Sequence, residues 1–109
     1  TLDDAGRLNL LPMLARLADV GADVPRAAAQ WHATLVAALA QWVTQAAQRT
    51  GIDTVALGGG CFVNCLLSSG LQQTLRQQGL TVLVPRLAPA GDGGLALGQA
   101  WVALQSLEN

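Results

Sequence analysis

Apolar residues recur along this chain at two different periods, and the breaks between them fall at glycine or proline. Leu10, Leu14 and Leu17 share one helical face, with Asn9 placed to cap it and Pro12 in the first turn, where a missing N–H is harmless. Gly21 then serves as C-cap within Val20-Gly21-Ala22-Asp23. The spacing predicts the longest helix over residues 25–49, opened by Asp23 and Pro25 and stopped at Gly51. Ala28, Trp31, Leu35, Leu39, Trp42 and Ala46 form its apolar stripe, opposite Gln30, Gln41, Gln45 and Gln48.

Residues 52–57 and 80–84 change the period. Both are short, mainly apolar runs rather than alternating ones, which is read as parallel strands covered on both faces. Between them, residues 62–78 place Val63, Leu67, Leu71 and Leu75 on one stripe, closed by Gly79. This is a βαβ unit, expected to be right-handed. A last helix over residues 94–107 would turn Leu97, Trp101 and Leu104 inward, with Gly98 permitting close packing. The order is α-α-β-α-β-α, an α/β class with helices on both faces of the sheet. Two strands alone make a poor core, so the remainder of the sheet is expected outside this chain.

Each strand runs into glycines. The first leads to Gly58-Gly59-Gly60-Cys61, the second to Pro89-Ala90-Gly91-Asp92-Gly93-Gly94. Both corners fall at the carboxyl end of the sheet, where open α/β sheets place ligands. Three consecutive glycines permit positive φ and close approach of a ligand. A helix starting near Cys61 would aim its free N–H groups and positive dipole end over the corner, as in phosphate and nucleotide sites. The triplet matches neither a Walker loop nor the dinucleotide fingerprint, and a plain tight turn is the alternative.

Asp92 reads either as a metal ligand or as a helix N-cap. Asn64 reads as an amide reaching a ribose or purine edge, or as a solvent-facing residue. His32 has no carboxylate or cysteine at ligand spacing and reads as structural or surface. Ser68, Ser69 and Cys61 have no identifiable base, which argues against nucleophilic catalysis.

Composition narrows the class further. Hydrophobic residues make up 51% and charged residues 12%, so part of the exterior is expected to be covered. With no lysine and a net charge of −1, phosphate-contacting nucleic-acid binding is not expected. No run approaches the ~18 apolar residues of a membrane span, and no signal peptide is evident. Cys61 and Cys65, four apart on one helix, fit two small core thiols or a reduced cytoplasmic protein better than a disulfide framework. They have no second pair to complete a metal site. Thr1 at the start points to a processed product or an excised fragment.

Trp31-His32 with Leu35 and Leu39, Ala56-Leu57-Gly58-Gly59-Gly60-Cys61-Phe62-Val63-Asn64, Leu83-Val84-Pro85-Arg86 and Gly91-Asp92-Gly93-Gly94-Leu95-Ala96-Leu97-Gly98-Gln99-Ala100 stand in unbroken order. Together they resemble the C-terminal part of HypF-type carbamoyltransferases, with a Kae1/TsaD-like domain that matures [NiFe] hydrogenases. The resemblance implies the C-terminal lobe of an ASKHA-type (RNase H-like) domain, with residues 1–24 as a leading segment and short helix and 25–109 as a nucleotide-cleft subdomain. It implies ATP and carbamoyl phosphate as substrates, a carbamoyl-adenylate intermediate, and a HypE-type protein as carbamoyl acceptor. Gly58, Gly59, Gly60 and Asn64 would contact adenosine, and Gly93 and Gly94 would lie near the phosphates. Asp92 would be the one ligand here to a divalent metal (magnesium, iron or zinc). As a fragment the chain would be inactive alone and prone to self-association. A tRNA threonylcarbamoyl-transfer protein of the same fold and a non-catalytic interaction module are the rival readings.

Overall fold

Asp23 starts the helix on which the rest of the chain is laid. The computed structural model describes residues 2–3, 5–19, 21 and 23–107. In it, α2 (Val24–Thr50) begins where the Asp23 carboxylate accepts the Arg26 N–H at 3.3 Å. It ends at Gly51, whose left-handed φ of 72° brings its N–H to the Ala47 carbonyl at 2.8 Å. Cap and stop thus act where the sequence places them. Ahead of it, α1 (Leu11–Ala18) packs on α2 with Met13 buried, and Asn9 accepts the Leu11 N–H at 3.0 Å. Met13 replaces Leu14 as the inward residue, and Leu14 is exposed. Of the turn that follows, Gly21 has the positive φ expected of it, while Val20 and Ala22 lie outside the described residues.

At the N-terminus, Leu2 and Leu8 form an antiparallel bridge. The Arg7 backbone N–H, bonded to the Asp3 carboxylate, holds that carboxyl below its ordinary range, and the Arg7 guanidinium adds to this. Both side chains face water, where such a pair contributes little to stability.

β1 (Thr54–Ala56) and β2 (Thr81–Leu83) pair in parallel, Thr54 with Thr81, Val55 with Val82 and Ala56 with Leu83. α3 (Cys65–Gln77) connects them, which is the expected βαβ order. The core consists of Ala40 from α2, Leu71 and Leu75 from α3, and Leu57 and Val82 from the sheet. Leu39, Val43, Val55, Phe62, Leu80 and Val84 pack around it. α2 and α3 therefore cover the same face.

Four expectations need correction. Helices do not cover both faces of the sheet: Thr54, Ala56, Thr81 and Leu83 share the second face and are exposed. The α2 stripe is split rather than continuous. Ala40 and Gly70 bring α2 and α3 close, since a Cβ on Gly70 would lie 3.1 Å from Val36 Cγ2. This turns the 36–40–43 side of α2 to the core and leaves the tryptophans to the N-terminal segment. There the Trp42 indole N–H donates to the Gly6 carbonyl at 2.8 Å, and Trp31 lines a groove with Met13 and Leu17.

The third correction concerns α4 (Leu95–Leu107), in which every residue is exposed, including Leu97, Trp101 and Leu104. No described residue lies opposite its apolar side to receive it. Lastly, Cys61 and Cys65 are free and exposed, not core thiols, because the buried positions of α3 are Leu67, Leu71 and Leu75. Val63 falls outside that period for the same reason and is exposed. Among the described residues, no helix is long and apolar enough to cross a membrane.

Leu75 is fully buried. Leu75→Ala is expected to cost about 2–5 kcal/mol in denaturant unfolding, the usual range for such a truncation. Leu104→Gln on the uncovered side of α4 should change stability by less than about 0.5 kcal/mol. Light scattering should show the unaltered chain self-associating, and Leu104→Gln should shift it toward monomer.

Candidate functional site

The parallel ladder does not stop at the strand ends. Leu57 donates its N–H to the Leu83 carbonyl at 2.9 Å, and Gly59 then donates to the Ala90 carbonyl at 2.7 Å. That second bond ties the two glycine corners to each other. They touch closely enough that a Cβ on Gly91 would lie 3.3 Å from Gly60 Cα. The corners that the sequence places at one end of the sheet are neighbours in space.

The glycines have different reasons for being glycine. Gly59 has φ 107° and ψ 161°, a conformation that L side chains rarely adopt. A Cβ on Gly94 would sit 2.5 Å from the Pro89 carbonyl oxygen, and one on Gly93 would press on the Pro89 ring at 3.2 Å. Gly59 and Gly94 are needed to build the corners, and Gly93 eases the packing on Pro89. Gly58 and Gly60 have no positive φ, and a Cβ on either would meet nothing within 4 Å. Among the described residues, nothing requires their side chains to be missing.

The helix start expected near Cys61 lies further on. Gly60–Val63 forms a 3-10 turn, and α3 begins at Cys65 with Asn64 as its cap. Asn64 Oδ1 accepts the N–H groups of Leu66 at 3.0 Å and Leu67 at 3.1 Å. Two orphan donors of the first turn are thereby satisfied, so they do not point into the corner. The Asn64 amide nitrogen lies 3.0 Å from His32 Nε2, while His32 Nδ1 lies 2.8 Å from the Ala28 carbonyl. His32 is structural, as expected, but its partner is an amide 32 residues away. No spacing rule connects the two, although both fall inside the family-like motifs.

Asp92 opens the 3-10 turn Asp92–Gly94, with Gly91 in the capping position. Among the described residues its exposed carboxylate has no hydrogen-bond or ion-pair partner, and no three metal-ligating side chains come together. Beside this corner, an open cavity of about 710 Å³ is lined by Pro89, Gly91, Gly94, Leu95, Gly98 and Val102. Gly58, Gly59 and Gly60 flank the corner from the other strand without lining that cavity.

Fold and site together define an α/β subdomain with two adjoining glycine-rich corners at the carboxyl ends of two parallel strands. The chain belongs to the carbamoyltransferase family whose model, the Kae1-like domain, second subdomain, matches residues 2–99. It is 50% identical to carbamoyltransferase HypF2 of Cupriavidus necator over 108 residues, covering 99% of this chain and 13% of that protein. A carbamoyltransferase HypF homolog of the same organism is 52% identical over 97 residues, 87% of this chain and 25% of that protein. Carbamoyltransferase HypF of Rhizobium leguminosarum bv. viciae is 46% identical over 105 residues, 95% of this chain and 14% of its own length. The chain thus spans between about one eighth and one quarter of these relatives. No solved structure matches it significantly.

The two classes of glycine separate in a melting experiment. Gly59→Ala and Gly94→Ala are expected to destabilise the fold by about 1–3 kcal/mol through backbone strain and steric displacement. Gly58→Ala and Gly60→Ala should leave the midpoint within a degree or two of the unaltered chain.

Proposed function

We propose that this chain forms one wall of the nucleotide cleft of a HypF-type carbamoyltransferase acting in [NiFe]-hydrogenase maturation. In this reading it is the C-terminal lobe of an ASKHA-type domain. The whole enzyme uses carbamoyl phosphate and ATP to form a carbamoyl-adenylate. It then passes the carbamoyl group to the C-terminal cysteine thiol of a HypE-type acceptor. The observation that carries the reading is the contact between the two corners, bare at Gly58 and Gly60 where packing does not demand it.

The residues fit a nucleotide better than they fit a metal. Backbone without side chains lets a purine and its ribose lie against Gly58, Gly59 and Gly60, with phosphates toward Gly93 and Gly94. The Asn64 amide has two N–H groups, and the one not used by His32 is the donor it offers to adenosine. Asp92 supplies one carboxylate toward a divalent metal. The other ligands would have to come from outside this chain, since a stable site takes several. With one wall and one ligand, the chain by itself holds nucleotide weakly and transfers nothing. When bound, the metal would neutralise phosphate charge.

Calorimetric titration with ATP tests this. Saturable binding is expected, abolished by Gly58→Val and Gly60→Val at unchanged melting temperature. Asp92→Ala should weaken binding only when a divalent metal is present. Binding unaffected by both valine substitutions would exclude the cleft. It would leave the reading of a non-catalytic interaction module, with α4 as its docking side.

A further inference from the structure

The hydrogen-bond chain Ala28–His32–Asn64 has a direction that its own geometry determines. The Ala28 carbonyl is an acceptor and nothing else, so the His32 nitrogen 2.8 Å from it, Nδ1, carries the proton. At the other end, Asn64 Oδ1 receives two backbone N–H groups, which fixes the amide orientation and leaves Nδ2 facing the imidazole. His32 Nε2 is therefore the acceptor of the Asn64 N–H at 3.0 Å. The imidazole thus carries its proton on Nδ1, the tautomer that free histidine disfavours relative to Nε2–H. Flipping the amide to suit any other form would strip the cap from two helix donors.

We infer that His32 is a positioning residue for the corner: it clamps Asn64, and with it the segment 58–64, to α2, and so holds the remaining Asn64 N–H in place for a nucleotide. This rests on the nucleotide reading above. The clamp joins the long helix, which is anchored in the core through Ala40, to a corner whose own glycines supply no side-chain contacts. Without it, Asn64 still caps α3, because the cap uses Oδ1 alone. What is lost is the tie between the segment 58–64 and α2, and with it the placement of the Asn64 amide over the corner. The effect of removing His32 should therefore be seen in binding more than in folding. Glutamine, whose side-chain oxygen also accepts, should substitute for it, while leucine, of similar bulk, should not.

Two measurements on the 109-residue chain decide it. Nitrogen-15 NMR of the imidazole in the ligand-free protein is expected to show the Nδ1–H tautomer. ATP titration is expected to show His32→Leu binding roughly five- to tenfold more weakly, the worth of one hydrogen bond. His32→Gln should stay within about twofold of the unaltered chain, since it keeps the acceptor. An Nε2–H tautomer, or His32→Leu binding ATP as well as the unaltered chain, would overturn the proposal. Should His32→Leu fail to fold, the tautomer and His32→Gln still decide. If the unaltered chain binds no ATP yet shows the Nδ1–H tautomer, the nucleotide reading fails and the clamp stands.

Discussion

One backbone hydrogen bond, from Gly59 N–H to the Ala90 carbonyl, ties the two glycine corners of this chain together. It exists because two strands of three residues pair in parallel with a register that carries on past their ends through Leu57 and Leu83. Parallel pairing puts both strand exits at the same end, and the extended ladder brings the loops beyond them into contact. Gly59 can make the bond only by adopting a φ reserved for glycine, and Gly94 folds the opposite loop only because it lacks a Cβ. The bare surface follows from that register. A one-residue slip would exchange the faces of the strand and separate the corners.

The same sheet explains what is unfinished. α2 and α3 sit on one face, while Thr54, Ala56, Thr81 and Leu83 on the other are open. α4 presents Leu97, Trp101 and Leu104 to solvent, although Gly98 would allow a neighbour to come close. Exposed apolar area on this scale is uncommon for a free monomer. It accords with a chain that spans a small fraction of its relatives' length. The glycine corners and the uncovered helix lie side by side at the Asp92–Gly94 turn, from which α4 departs.

Much of the architecture was legible from residues alone. Asp23, Gly51 and Gly79 punctuate the chain where capping chemistry says they should, and residues 54–56 and 81–83 lie inside the two apolar runs. Adjacency of the corners followed from α/β topology. What resisted was anything set by relative helix rotation. The tryptophan stripe of α2 matches helical periodicity, yet two small residues, Ala40 and Gly70, decided which side meets the core. Burial of α4 was misjudged because periodicity reports an amphipathic face, not whether a partner is there to cover it. The His32–Asn64 link was invisible, since hydrogen-bond partners 32 residues apart leave no local signature.

That two bare corners act as one cradle is tested most directly by mapping ATP onto the backbone amides of the chain by NMR. The account predicts that the signals of Gly58, Gly60, Gly93 and Gly94 move together along one saturation curve, with those of α1 unchanged. Shifts confined to one corner, separate affinities for the two, or no shift at saturating ATP would contradict it.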